Sequence, residues 1–307
     1  MIGWVGCSAP PADPQQNQSV RLVPVAQAAP AGLRSAAPGP ASLQAVTIAP
    51  RPHPLEALAP VELGQRVRTR LAELGPVSMG QPNRGRLFNA VQLQESAAIE
   101  VIHPERAFGT QETIDFIERA VASVRRQFPD TPPMLVGDIS REKGGWLRPH
   151  RSHQSGRDVD LGYYYTGESR WYDRAKAENL DRARTWALVR ALISETDVEY
   201  IFMGRSVQQL LRAHAESLGE SSDFLDEVFQ TPKNKRTIVR HRIGHETHLH
   251  VRFYNNLAER SGELVSSVLH PPRRKAAPRP KAKGKKATAR ARKAPARAAA
   301  KKPRSKR

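Results

Sequence analysis

Cysteine is almost absent: Cys7 is the single example in 307 residues. That excludes an internal disulfide framework and any zinc module built on several thiolates. No apolar run reaches the ~18 residues that a membrane-crossing helix needs. Nor is there the apolar stretch of ~7–15 residues that forms the middle of a secretory signal. Acid is missing from 271–307, where 17 of the 49 Lys and Arg residues lie. Setting that tail aside leaves 32 basic against 30 acidic residues in 1–270. The net charge of +19 therefore describes a cationic tail on a near-neutral body, and it does not identify the body's ligand.

What is present divides the chain in three. Residues 8–60 are rich in Pro, Ala and Gln, with 11 prolines between Pro10 and Pro60. Such a segment buries too little apolar surface to offset its ordering entropy, so 1–60 is expected to be a disordered linker. Residues 271–307 are Lys, Arg, Ala and Pro, and a disordered basic tail is expected there. The body, 61–270, is long enough for one well-cored domain. No internal repeat is visible.

Within the body, Leu63, Val67, Leu71 and Leu74 follow a helical period. Ile114, Ile117, Val121, Val124 and Phe128 do so more clearly, with Thr110 as N-cap and Pro129 near the end. Met134–Ile139 reads as a buried strand closed by Gly144-Gly145, and 158–165 alternates like a strand. Leu180–Ile193 suits a helix and Val198–Met203 a strand. Val207, Leu210, Leu211 and Leu218 mark another helix, and His248–Tyr254 a last strand. Interspersed helices and strands give an α+β class, with a small antiparallel sheet flanked by helices.

Histidine is the conspicuous abundance, with ten in all. Five fall in two clusters, His150-Arg-Ser-His153 and His245-Glu-Thr-His248-Leu-His250. Zinc accepts imidazole nitrogen and carboxylate oxygen, and a catalytic site uses three protein ligands with one position open. A His-x-His pair on a strand places both rings on one face, because side chains alternate with period two. His153 and Asp160 are seven apart, so the chain must turn between them, and Gly156 sits where that turn would fall. The stretch 245–248 imitates the helical motif His-Glu-x-x-His but is one residue short: position 249 is Leu. Asp158, two before Asp160, shares its face on a strand; it reads either as a structural hydrogen-bond acceptor or as a group that holds a ligand histidine. His53, His103, His241 and His270 have no paired partner and receive no role, and His214 reads as a packed histidine. Tyr163-Tyr164-Tyr165 and Trp171 follow the site and suggest the floor of a peptide groove, with at least one tyrosine in the core.

The pairing of His-x-x-His-x-x-Gly-x-x-x-Asp with a later His-x-x-His-x-His resembles the penicillin-insensitive murein endopeptidases, within the LAS group of zinc peptidases. The wording agrees over Ser152–Asp160 and Gly244–Arg252. It also agrees at Ser78-Met79-Gly80, Phe108-Gly109-Thr110 and Gly137-Asp138, covering roughly 75–255. The resemblance implies that His153, Asp160 and His250 bind one Zn2+. It implies that His248 acts on the water held there, and that His150 and His245 complete the active site. A cationic His150 or His245 would stabilise the developing oxyanion. The implied reaction is hydrolysis of amide cross-links in peptidoglycan, typically between D-alanine and meso-diaminopimelate, by a protein exported to the periplasm. Two other readings use the same residues: a D,D-carboxypeptidase or dipeptidase on the same scaffold, and a non-catalytic zinc domain serving a polyanion-binding protein.

The flanks carry two expectations. Val5-Gly6-Cys7 resembles a lipoprotein cleavage site, so Cys7 would be lipid-anchored if the true start lies upstream. The tail's 17 charges would attract any polyanion in a salt-dependent way. No aromatic residue is interleaved to stack bases, so non-specific contact is expected rather than specific nucleic-acid reading.

Overall fold

The computed structural model describes residues 20–24, 43–47, 54–168 and 170–271. Cys7 and the basic tail from 272 onward lie outside the described residues, as does most of the segment expected to be a linker. Within that segment two strands are described, β1 (Val20–Pro24) and β2 (Leu43–Thr47), paired antiparallel with Val20 opposite Thr47.

The body follows in the order α1 (Pro60–Thr69), β3 (Val77–Gln81), β4 (Arg84–Phe88), β5 (Val91–Gln92), β6 (Ile99–Val101) and β7 (Phe108–Gly109). Next come α2 (Gln111–Gln127), β8 (Met134–Val136), β9 (Asp158–Gly162), α3 (Arg182–Glu195), β10 (Val198–Met203) and α4 (Arg205–Ser217). The last elements are α5 (Ser222–Val228), β11 (Val239–His241), β12 (His248–Phe253) and α6 (Asn256–Leu269). Six strands form the main sheet in the order β11-β10-β12-β9-β8-β6. The central four, β10, β12, β9 and β8, run antiparallel, as the sequence suggests. Both edge pairs, β10 with β11 and β6 with β8, are parallel, so the sheet as a whole is mixed. The α+β class holds.

Period-two alternation on the two innermost strands separates two chemistries. Val159, Leu161, Leu249, Val251 and Phe253 point to one face and are fully buried. They join the main core with α2 and α3, where Phe116 packs its ring 5.2 Å from Phe253. Each such side chain contributes about 1.5–3 kcal/mol by leaving water. The opposite face carries Asp158, Asp160, His248, His250 and Arg252. The register sets His250 beside Asp160, Arg252 beside Asp158 and His248 beside Gly162.

α2 forms where the spacing predicts. Thr110 caps it by accepting from the Thr113 N–H at 3.1 Å, and Phe128 closes it. Its Glu112 accepts from the Leu257 and Ala258 N–H groups, so one carboxylate of α2 caps the N-terminus of α6. α6 lies on β3, and only glycine fits at the crossing: a Cβ on Gly262 would stand 1.9 Å from the Ser78 carbonyl oxygen. Val265 of α6 shares a second, smaller core with Leu55, Leu63, Val67, Leu74 and Val77. The helical period at 63–74 is realised as α1 followed by a separate 3-10 turn, Leu71–Leu74.

Candidate metal centre

β9 and β12 supply one wall of the site, and the long connection from β8 to β9 supplies the other. Asp160 leaves β9 and His250 leaves β12 from register-paired positions, with His250 Nδ1 3.0 Å from Asp160 Oδ1. His153 comes from the connection. Its backbone takes φ +62°, a conformation that side chains other than glycine seldom adopt. Two bonds hold it there. Its N–H donates to Asp158 Oδ2 at 2.9 Å, and its ring Nδ1 lies 3.0 Å from the Ile139 carbonyl oxygen. Gly156, at φ +72°, makes the return turn, where a Cβ would come within 2.7 Å of Leu87.

These bonds select the tautomers. A carbonyl oxygen only accepts, so Nδ1 of His153 carries hydrogen and Nε2 keeps its lone pair. That Nε2 stands 3.1 Å from His250 Nδ1 and 3.3 Å from Asp160 Oδ1. Three electron-rich atoms therefore form a triangle with edges of 3.0–3.3 Å. Ligands at ~2.0–2.1 Å around a tetrahedral zinc are themselves about 3.3–3.4 Å apart, so the triangle matches three corners of such a site. The other nitrogen of His250, Nε2, faces Asp158 Oδ1 at 3.4 Å, the arrangement in which a carboxylate orients a ligand imidazole. Asp158 also accepts from Arg252 Nε at 2.6 Å. The second carboxylate expected to support the site is thus fully buried, hydrogen-bonded to the His153 N–H and to Arg252, and in contact with His250.

The charges respond to this crowding. Burial opposes ionisation of Asp160, but His153 and His250 overcome it and hold the carboxyl well below the usual range. Asp158 is likewise held low against burial, by His250 and Arg252. Burial also opposes charge on His250, yet bonds to Asp158 and Asp160 push its pKa up to about 9. Without a cation, then, a proton on His250 sits between the donors.

His150 stands at the rim. Its Nε2 lies 2.8 Å from Asp138 Oδ2, and its Nδ1 faces Asp160 Oδ2 at 3.7 Å. His150, His153 and Asp160 bring their donor atoms within 4.8 Å of one another and could hold a metal ion, so His150 is closer to a ligand position than the sequence suggested. Asp138 also accepts from Arg106 at 3.2 Å and meets His103 Nδ1 at 2.9 Å. His103, which received no role from the sequence, therefore belongs to the set that fixes His150. No local pattern links it to Asp138, 35 residues on; only the parallel pairing of β6 with β8 brings the two together.

His248 points Nε2 toward Asp160 Oδ1 at 3.7 Å, too long for a hydrogen bond, while its Nδ1 meets the Thr247 hydroxyl at 3.0 Å. Burial lowers its pKa, with Asp160 opposing and the site's other histidines adding to the effect, so its neutral form prevails at pH 7. His245 lies 4.9 Å from His248, ring to ring. Burial and the neighbouring His248 and His250 bring its pKa down to about 4. The expectation of a cationic His245 gives way to a neutral one, because the apolar wall of Phe202 and two imidazoles surround it. The stretch 245–247 is irregular, follows a turn at 243–244 and leads into β12; it is not a helix, as the short spacing required.

Tyr163, Tyr164 and Tyr165 are all buried, so they do not floor a groove. Tyr163 contributes indirectly, donating its hydroxyl to the His245 carbonyl oxygen at 2.8 Å. Trp171 does reach the site, with its ring 6.5 Å from His248, and Tyr172 lies closer still at 5.1 Å.

A family model described as penicillin-insensitive murein endopeptidase matches residues 78–263, more than half of the chain. Comparison with curated proteins gave no match.

Proposed function

The chain belongs to the penicillin-insensitive murein endopeptidases, and from that premise we propose that it is a zinc-dependent endopeptidase hydrolysing peptide cross-links of peptidoglycan. The D-alanine to meso-diaminopimelate amide is the bond assigned to it, and the periplasm or cell wall its place of action. The observation that carries the reading is the triangle of His153 Nε2, Asp160 Oδ1 and His250 Nδ1, with edges of 3.0–3.3 Å. In the absence of a metal a proton on His250 bridges these atoms, and two imidazoles with one carboxylate are a donor set suited to zinc in its place. When bound, zinc supplies Lewis acidity toward the scissile carbonyl and makes water nucleophilic near neutral pH.

The chain's own residues do the rest. Neutral His248 accepts the proton of the attacking water at Nε2, the nitrogen that faces the donors. The water oxygen adds to the amide carbon, the C–N bond breaks, and His248 returns its proton to the leaving amine. His150, gripped by Asp138 at Nε2, donates from Nδ1 to the substrate carbonyl in its imidazolium form. His245 shields the far edge of His248. The basic tail adds non-specific contact with anionic polymers.

The test is a digest of purified cross-linked muropeptide dimers by the full chain. Dimers should fall to monomers, a chelator should stop the reaction and zinc should restore it. His248→Ala should keep its zinc and lose turnover by about 10²–10⁴-fold. Dimers left intact by a zinc-loaded chain would refute the proposal.

A further inference from the structure

Among the described residues, three that are not glycine have positive φ: Asn89, His153 and Tyr172. Asparagine tolerates that region, and His153 is held there by Asp158 and Ile139. Tyr172, at φ +65°, lies in the turn at 171–172, a place where a bulky aromatic residue is uncommon. Neither its backbone nor its hydroxyl makes a hydrogen bond among the described residues. The residue is 54% exposed, so core packing does not hold it either. A bulky aromatic residue in this conformation is strained, and such strain persists where the surroundings use it.

The contact obtained in return is with His248. The two rings stack at 5.1 Å between centroids and 21° between planes, within the range of favourable offset stacking. Tyr172 covers the imidazole on the solvent side, and His248 is left only 4% exposed. A second ring supports the first: Trp171 lies 5.6 Å from Tyr172. Trp171 fits because Gly137 leaves space for it: a Cβ there would stand 2.3 Å from its ring. Burial, with Asp160 and Asp138 adding to it, raises the Tyr172 pKa, which places the phenol beside the metal-centre carboxylates in its neutral form.

We propose that Tyr172 is a positioning residue whose ring clamps the plane of His248 and keeps its Nε2 directed at the metal centre, at the expense of backbone strain in the 171–172 segment. The inference rests on the proton-transfer role given to His248 above. The clamp is the ring and not the hydroxyl, so the phenylalanine variant should behave as wild type.

The experiment compares Tyr172→Gly, Tyr172→Asn and Tyr172→Phe in the zinc-loaded full chain. Glycine and asparagine relax at positive φ, so both variants should keep zinc and unfold at a urea concentration equal to or above that of wild type. Their kcat on muropeptide dimers should fall on the order of 10–100-fold with KM little changed, the mark of a misdirected base. Tyr172→Phe should stay within about twofold of wild type. In parallel, the His248 Hε1 proton resonance should lose its ring-current shift in the glycine and asparagine variants and keep it in the phenylalanine variant. That readout does not depend on turnover, so it tests the clamp even if the cross-link proposal fails. Wild-type kcat in Tyr172→Gly, a Tyr172→Phe variant as slow as Tyr172→Gly, or a His248 resonance unmoved in all three would overturn it.

Discussion

Filling the metal centre should expel a proton, and the number can be worked out. His250 is held at a pKa of about 9 by Asp158 and Asp160 in the absence of a cation. At pH 7 it is therefore about 99% protonated. The Nδ1 that carries this proton or directs it at Asp160 is one of the three donors, so a metal must displace it. The sign follows: a raised value means that proton and metal compete, and apparent affinity climbs as pH rises toward 9. Each pH unit below that value weakens binding about tenfold, so affinity should improve about 100-fold between pH 6 and pH 8. Asp160 is ionised throughout this range and adds no proton of its own. Competition against a chromophoric chelator at pH 6, 7 and 8 measures the slope. Calorimetry at pH 7 in two buffers of different ionisation enthalpy counts the protons, and at least one per zinc is expected. A flat affinity from pH 6 to 8, with identical heats in both buffers, would refute the reasoning.

Other consequences lie further from the ion. Asp158→Asn removes the charge that Arg252, the His153 N–H and His250 face. Urea unfolding should show a loss of about 3–5 kcal/mol, and zinc affinity should drop about 10–100-fold. Gly262→Ala drives a methyl group into the Ser78 backbone, so α6 must move off β3; a loss of about 1–3 kcal/mol is expected by thermal or urea unfolding, with zinc content unchanged because the ligands lie on other elements. Burial raises the Glu112 pKa, against its two backbone donors and with help from Glu259 and Asp197. A raised carboxyl value means the stabilising contribution is present below about pH 4.5 and fades as pH rises through the folded-state value. Urea midpoints of wild type relative to Glu112→Gln should therefore decline from pH 4 to pH 7; a relative gain would contradict the burial argument.

The gathering of His153, Asp160, His248 and His250 on one side of the sheet was legible because its information is local. Period two on β12 puts His248 and His250 on one face whatever surrounds them, and the one-residue shortfall at 245–248 excludes a helix. Thr110 and the apolar spacing after it define α2 in the same way. The parts that escaped depend on distant partners. The β3–β4 hairpin carries few apolar residues in alternation, and it is stabilised by α6 crossing at Gly262, which no window of sequence spans. The parallel edge strands β6 and β11 have three residues each, too short for a periodic signal. Asp138 could be quoted as part of a motif, but its work on His150, His103 and Arg106 appears only once β6 and β8 pair. Tyr172 gave no sign at all, because strain is a property of the folded backbone and not of composition.

The most direct test of the account is a crystal structure of the zinc-loaded chain with anomalous data collected across the zinc edge. The predicted result is one strong peak about 2.0–2.2 Å from His153 Nε2, Asp160 Oδ1 and His250 Nδ1, with His248 beside but not bonded to it. A peak held instead by Asp138 and His103, or a triangle that stays protonated and empty in excess zinc at pH 8, would contradict it.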